Sequence, residues 1–427
     1  MTLYTADDLR TFSGTLVIGP NDRVTPLARD VALERGIKIE FREGHVSPPR
    51  SPVPATPTPA RAAPPGPPPT ARLAQGPAAP AGLPLPPSGA MYRRGAPLSA
   101  GVSAPQIGSS RRSAAASGGP RDRVGVVGAG HVGAMTALRL AESDLFERVT
   151  LVDVVPGLAA GLALDMWHGS GLCGFDTRIE GAEDTARLAG SRYIVVTAGR
   201  PRTPGMSRTD LTAVNAEIIR SVGTSIRQHA PDSVVVVVTN PLEEMTHLMQ
   251  QVTGFPASRI LGMAGVLDSA RFCSLVGLTG VARPGDVEAY ALGSHGPEMV
   301  VPLSQARIGG VPVEQLLDAT TLSAIVERTR DSGAEVVALL QKGSAYFSPA
   351  ESAATMVRSM ASGSGEVLTV CVRSGGAYGL VDTRVGLPVR LGPDGLKEIV
   401  NLELLPAERD ALRSAAERID ARIKELK

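Results

Sequence analysis

The chain has 427 residues, with 43 Lys and Arg against 42 Asp and Glu and a net charge of +1. Its 43% hydrophobic and 20% charged content is ordinary for a globular protein, with room for two or three domains at about 150 residues each. The charge balance argues against a nucleic-acid-gripping protein, and the longest β-branched run, Val234 to Val238, is far too short for a membrane span.

The polar start MTLYTADDLR reads as neither a secretory signal nor a transit peptide. Cys173, Cys273 and Cys371 are too widely spaced for a disulfide framework, and no CxxC pair points to a metal. A reducing, cytoplasmic setting is therefore expected, with no membrane span and no nucleic-acid partner.

Residues 1–45 form a small patterned module. Thr5 can cap a short helix, with Asp8 three residues on. Thr15 to Ile18 reads as a strand. Thr25-Pro26 opens a second helix that ends before Gly36, with Leu27 and Val31 on one face. Ile37, Ile39 and Phe41 alternate as another strand. So short a segment buries little by itself, so it either docks onto a partner or packs on the larger body.

Residues 46–120 hold 19 of the 35 prolines, seven arginines and no Asp or Glu. That composition has too few large apolar groups to offset chain entropy and reads as a disordered basic tether. The other reading is a ligand for a proline-binding module or an anionic surface.

From residue 121 strand and helix signals alternate. RVGVVG (123–128), TLVD (150–153), RYIVVTAG (192–199) and SVVVVVTN (233–240) are apolar strand runs separated by helical stretches. This pattern predicts a Rossmann-type, doubly wound parallel α/β sheet over 121–264. An α+β catalytic domain is expected over 265–427. Its last helix places Leu412, Ala416, Ile419, Ile423 and Leu426 on one stripe.

Gly128-Ala129-Gly130-His131-Val132-Gly133 has the GxGxxG spacing between a strand and a helix. Such a turn lets the backbone approach a pyrophosphate at a helix N-terminus. Asp153 ends the next strand, twenty residues after Gly133, where a carboxylate accepts hydrogen bonds from a ribose and repels a 2′-phosphate. NAD is thus expected over NADP. The His131 side chain is expected to point away from the phosphates, with no catalytic role.

The loop 197–211 follows a strand end and carries Arg200, Arg202 and Arg208, which suit an anionic substrate. By itself it reads equally as a solvated surface loop. Asp268 and Arg271 share a helix face, and by themselves they read as a surface ion pair. His295 sits in the glycine-bracketed stretch GSHG, whereas His45, His229 and His247 read as exposed or loop residues and His168 as a helix end. A histidine that exchanges a proton near neutral pH suits hydride transfer at a hydroxyl carbon. Without the other motifs it reads as an ordinary loop histidine.

Together GVVGAGHVG, LVD, RTPGMSR, VTNPLE, GVLDSARF and GSHGPEMV resemble the lactate/malate dehydrogenase family, in order and over residues 121–427. The likeness is greatest to its malate dehydrogenases that are close in sequence to lactate dehydrogenases. The resemblance implies that His295 transfers the proton and Asp268 orients it. Arg271 pairs with the substrate's C1 carboxylate and Arg208 polarises the reacting carbonyl. Asn240 hydrogen-bonds substrate beside the nicotinamide, and Asn215 with Val238 to Asn240 lines the cofactor. Arg202 lies where the family contacts the far side of the keto carbon, so it favours a dicarboxylate such as oxaloacetate over pyruvate. The loop at 199–211 is then expected to close and exclude water. A homo-dimer or homo-tetramer is also implied.

Ordinary members begin close to the RVGVVG strand. The preceding piece TLVIGPNDRVTPLARDVALERGIKIEF resembles short extensions of enzymes packaged in bacterial microcompartments, which dock cargo to the shell or to other cargo. Three readings compete: a malate dehydrogenase with a targeting tail, a lactate or other 2-hydroxy-acid dehydrogenase, and an inactive scaffold with a dehydrogenase fold.

Overall fold

The computed structural model describes residues 121–426 except 202–207, 297 and 342. It also describes residues 3–4, 12, 14–19, 23–24, 32, 35 and 37–41. The chain forms two compact units, residues 1–97 and 98–427.

In the N-terminal unit the two expected strands form. Thr15–Ile18 pairs in parallel with Lys38–Phe41, and Leu3–Tyr4 pairs in parallel with Arg23–Val24. Alternation along Thr15–Ile18 buries Leu16 and Ile18, which cluster with Ala32 and Ile37 against Tyr4 and Phe12. The helix expected from Thr5, and all but Ala32 and Arg35 of the one expected from Thr25, lie outside the described residues. The tether expected over 46–120 lies outside them as well.

In the larger unit, six strands build the parallel part of the sheet. They are β1 (Arg123–Val127), β2 (Arg148–Val152), β3 (Arg178–Ala182), β4 (Tyr193–Val196), β5 (Val234–Val237) and β6 (Ile260–Gly262). Their order across the sheet is β3-β2-β1-β4-β5-β6, which is the doubly wound order with its direction change between β1 and β4. Helices α1 (His131–Glu142), α2 (Leu158–His168), α3 (Arg208–His229) and α4 (Leu242–Thr253) provide the crossovers. Covered on both faces, the central strands β4 and β5 are continuously apolar. All four residues of β4 and of β5 are buried, and each buried valine contributes roughly 1.5–3 kcal/mol.

Helix α5 (Gly265–Leu278) follows β6 directly. The sheet then continues in antiparallel fashion through β7 (Leu292–Gly293), β8 (Met299–Val300), β9 (Val367–Arg373), β10 (Arg384–Gly392) and β11 (Gly395–Ile399). Helices α6 (Ala319–Leu340), α7 (Phe347–Ser362) and α8 (Pro406–Lys424) pack around this half. Four residues of the expected α8 stripe, Leu412, Ala416, Ile419 and Ile423, are buried, whereas Leu426 lies past the helix end and is partly buried. Arg384 is fully buried and joins the two halves, donating to the Ile260 carbonyl (2.7 Å) and Gln250 Oε1 (2.6 Å). Burial lowers its guanidinium to about 10. Among the described residues no helix is long and apolar enough to cross a membrane.

Strand β3 lies tight on α2. A Cβ on Gly181 would stand 2.1 Å from the Ala159 carbonyl oxygen, a backbone atom with no easy retreat. Gly181→Ala should therefore lose about 1–3 kcal/mol of stability in urea denaturation, and an unchanged midpoint would contradict this packing.

Candidate active site

The glycine turn stands at the direction change of the sheet, where open α/β sheets bind ligands. Gly128 has φ +102°, and a Cβ there would meet the Ala198 amide nitrogen at 2.7 Å. A Cβ on Gly133 would lie 1.8 Å from the Gly128 carbonyl oxygen, so only glycine lets α1 sit this close to the turn. At Gly130 a Cβ would meet open space, and no side chain caps the first amides of α1. This open approach and uncapped helix end fit a dinucleotide pyrophosphate. Asp153 follows β2 with its Oδ2 on the Ala129 amide (2.6 Å) and its Oδ1 on the Val155 amide (3.0 Å). It remains partly exposed. The turn thereby holds the carboxylate in place.

A cleft of about 520 Å³ runs from this turn past the ends of β4 and β5 to α5 and α7. Gly130, His131, Val132 and Gly133 line one end, and Val238, Asn240, Arg271 and His295 line the other. Ala129 is buried beneath the turn. His131 lines the cleft, and its ring packs tilted against that of Tyr346 with centroids 5.0 Å apart. Asn215 is 1% exposed and latches the cleft floor. Its amide nitrogen donates to the carbonyls of Asn240 (2.6 Å) and Arg200 (3.2 Å), while its oxygen accepts from the Arg200 amide (2.8 Å).

At the other end His295 Nδ1 meets Asp268 Oδ2 at 2.7 Å, and Arg271 Nη1 donates to Asp268 Oδ1 at 3.1 Å. Asp268 is 1% exposed, so Asp268 and Arg271 form a buried pair and not a surface one. A carboxylate this dry needs both partners. Because Nδ1 is taken, Nε2 is the ring nitrogen left for the cleft. Burial works against the imidazolium, but the charge and hydrogen bond of Asp268, with the charge of Glu243, outweigh it and the opposing Arg271. The His295 pKa is held above its ordinary value.

The sequence-expected residues Asp268, Arg271, Asn240 and His295 thus converge, and the glycine turn opens into the same cleft. Arg202 lies outside the described residues. Arg208 begins α3, and its side chain lies outside them. His229 and His247 are on helices, not in loops. His247 is half-buried, and burial with nearby Arg384 and Arg373 lowers its pKa. Sequence reasoning missed Glu243, whose Oε1 accepts from the His295 amide at 2.6 Å, and Tyr346. The signal for Glu243 was an acidic pair in the first turn of the helix that follows a buried strand.

Fold and site together define an NAD-dependent oxidoreductase. Residues 122–262 match the family model of the lactate/malate dehydrogenase NAD binding domain, and residues 265–427 match that of its alpha/beta C-terminal domain. The chain is 44% identical over 302 residues to malate dehydrogenase of Trichormus variabilis, covering 70% of this chain and 93% of that relative. It is 44% identical over 307 residues to malate dehydrogenase of Thermomicrobium roseum, covering 72% and 99%. The structure is similar to Cryptosporidium parvum malate dehydrogenase, with a TM-score of 0.69, 35% identity, and coverage of 72% of this chain and 99% of that one. The chain belongs to the lactate/malate dehydrogenase family.

The raised His295 pKa has a sign for stability. A group whose pKa rises on folding adds stability that is full below its unfolded value, near 6.5, and is lost as pH climbs through the folded value. Asp268→Asn removes the charge that sustains the imidazolium. It should cost more stability at pH 6 than at pH 9 in urea denaturation, and an equal cost at both would contradict the assignment.

Proposed function

We propose that this chain is an NAD-dependent malate dehydrogenase that interconverts (S)-malate and oxaloacetate. The observation that carries the reading is the buried Asp268–His295 pair opening into the same cleft as the glycine turn. When bound, NAD would supply the hydride acceptor for C2 of malate. The residues holding it are the turn Gly128 to Gly133, Asp153 and the Val238 to Asn240 segment, with Asn215 fixing the cleft floor.

Arg271 binds the C1 carboxylate and Asn240 hydrogen-bonds the substrate. His295 Nε2 takes the hydroxyl proton, and Asp268 stabilises the resulting imidazolium. Arg208 supports the negative charge developing on oxygen. Arg202 binds the second carboxylate, because an unpaired guanidinium facing pyruvate's methyl group would be costly. In the reverse direction His295 is the acid. The identities to malate dehydrogenases support this choice of substrate.

The four-part division into 1–45, 46–120, 121–264 and 265–427 belongs to the same reading. The N-terminal unit has a small core of its own, which supports a docking module that tethers the enzyme to microcompartment shell or cargo. Exposed Leu164 and Leu172 support a homo-oligomer of two or four copies.

The test is NADH oxidation with oxaloacetate and, separately, pyruvate. Oxaloacetate should be preferred by roughly a hundredfold or more in kcat/KM, Arg202→Gln should erase most of that preference, and removal of residues 1–120 should change neither. A preference for pyruvate in the unaltered protein would overturn the malate reading, and a large loss of kcat on truncation would overturn the tether.

A further inference from the structure

The loop that carries His295 is held from behind by groups that take no part in the mechanism above. Glu243 is 2% exposed in the first turn of α4, and its Oε1 accepts the His295 backbone amide at 2.6 Å. On the other side Arg422, from the end of α8, reaches Ser294 Oγ at 3.3 Å and Glu298 Oε1 at 3.4 Å. The same guanidinium contacts Glu244 Oε1 at 3.1 Å. The residues on either side of the histidine are therefore fixed to α8, and the histidine's own main chain is fixed to α4.

A backbone amide needs only a neutral acceptor. Burying a carboxylate for this purpose is expensive, and the helix N-terminus offsets only part of the cost. When ionised, Glu243 also acts on the imidazole through its charge. We propose that Glu243 is a positioning residue for proton transfer, whose carboxylate fixes the His295 main chain and sets a second negative charge beside the Asp268–His295 pair.

The charged and titratable groups around this pair are Asp268 and Arg271 on α5, Glu244 on α4, Arg422 on α8, Glu298 on the loop and Cys371 on β9. Burial raises the Glu243 pKa, the His295 amide and the charge of His295 hold it down, and Glu244 adds to the rise. Glu243 in turn favours the imidazolium of His295. Each group thus favours the other's ionised form, although burial still leaves the Glu243 pKa above its ordinary value.

The inference rests on the dehydrogenase reading, so one measurement omits the reaction. In full-length protein carrying labelled histidine, the His295 imidazole is titrated by NMR without substrate. Glu243→Gln keeps an acceptor oxygen and the shape but removes the charge, so the His295 midpoint should fall below that of the unaltered protein. Glu243→Met removes the acceptor. It should lower kcat for oxaloacetate reduction roughly tenfold or more while NADH affinity, read by fluorescence, stays within about twofold. An unshifted His295 titration in Glu243→Gln would overturn the charge role, and an unaltered kcat in Glu243→Met would overturn the positioning role. If Glu243→Met does not fold, the Glu243→Gln titration decides alone. If the unaltered protein does not reduce oxaloacetate, the dehydrogenase reading falls while the titration still tests Glu243.

Discussion

The hydrogen bond between His295 and Asp268, 2.7 Å long and buried on the aspartate side, is the constraint around which the larger unit is arranged. A carboxylate 1% exposed is stable only where its partners are delivered with it. Arg271 comes from the same helix, one turn on. His295 comes from a loop 27 residues away in sequence, so the sheet must bring it there. Strand β6 places the start of α5 at the carboxyl end of the parallel sheet, and β7 in the antiparallel half ends beside it. Gly265 makes the start of α5 fit, since a Cβ would lie 2.3 Å from both the Ala291 carbonyl oxygen and a Thr369 methyl.

The same sheet supplies the other half of the site. Its direction change between β1 and β4 leaves a crevice, and the glycine turn fills one lip of it. The uncapped amides of α1 and the carboxylate of Asp153 suit a dinucleotide, and the cleft continues to His295. One opening thus holds both a cofactor-binding lip and a proton-transfer pair, which is the arrangement hydride transfer needs.

Much of this was legible in the sequence because it is local. The runs of valine and isoleucine name the buried strands, the glycine spacing names the turn, and Asp153 follows at a fixed distance. The stripe on the last helix could be read from its period. Asp268, Arg271 and His295 are different. Each has an ordinary local reading, and only the ordered set of motifs, matched as a family, assigns them to one place. Glu243 and Arg422 escaped because their meaning lies in contacts 52 and 128 residues away, to His295 and Ser294. No periodicity reveals that a charged side chain is buried. His247 reads as an exposed or loop residue in the sequence because a lone histidine carries little pattern of its own, yet it lies half-buried on α4.

The central claim is that His295 works as a proton carrier whose charged form is sustained by buried carboxylate. The most direct test is the pH dependence of kcat/KM for oxaloacetate reduction by the unaltered protein, since this direction needs the imidazolium. The structure calls for activity that falls on the alkaline side through a single ionisation lying above the ordinary histidine value of about 6.5. A fall centred at or below that value would contradict it, because the buried ring would then be losing its proton as though Asp268 were not there.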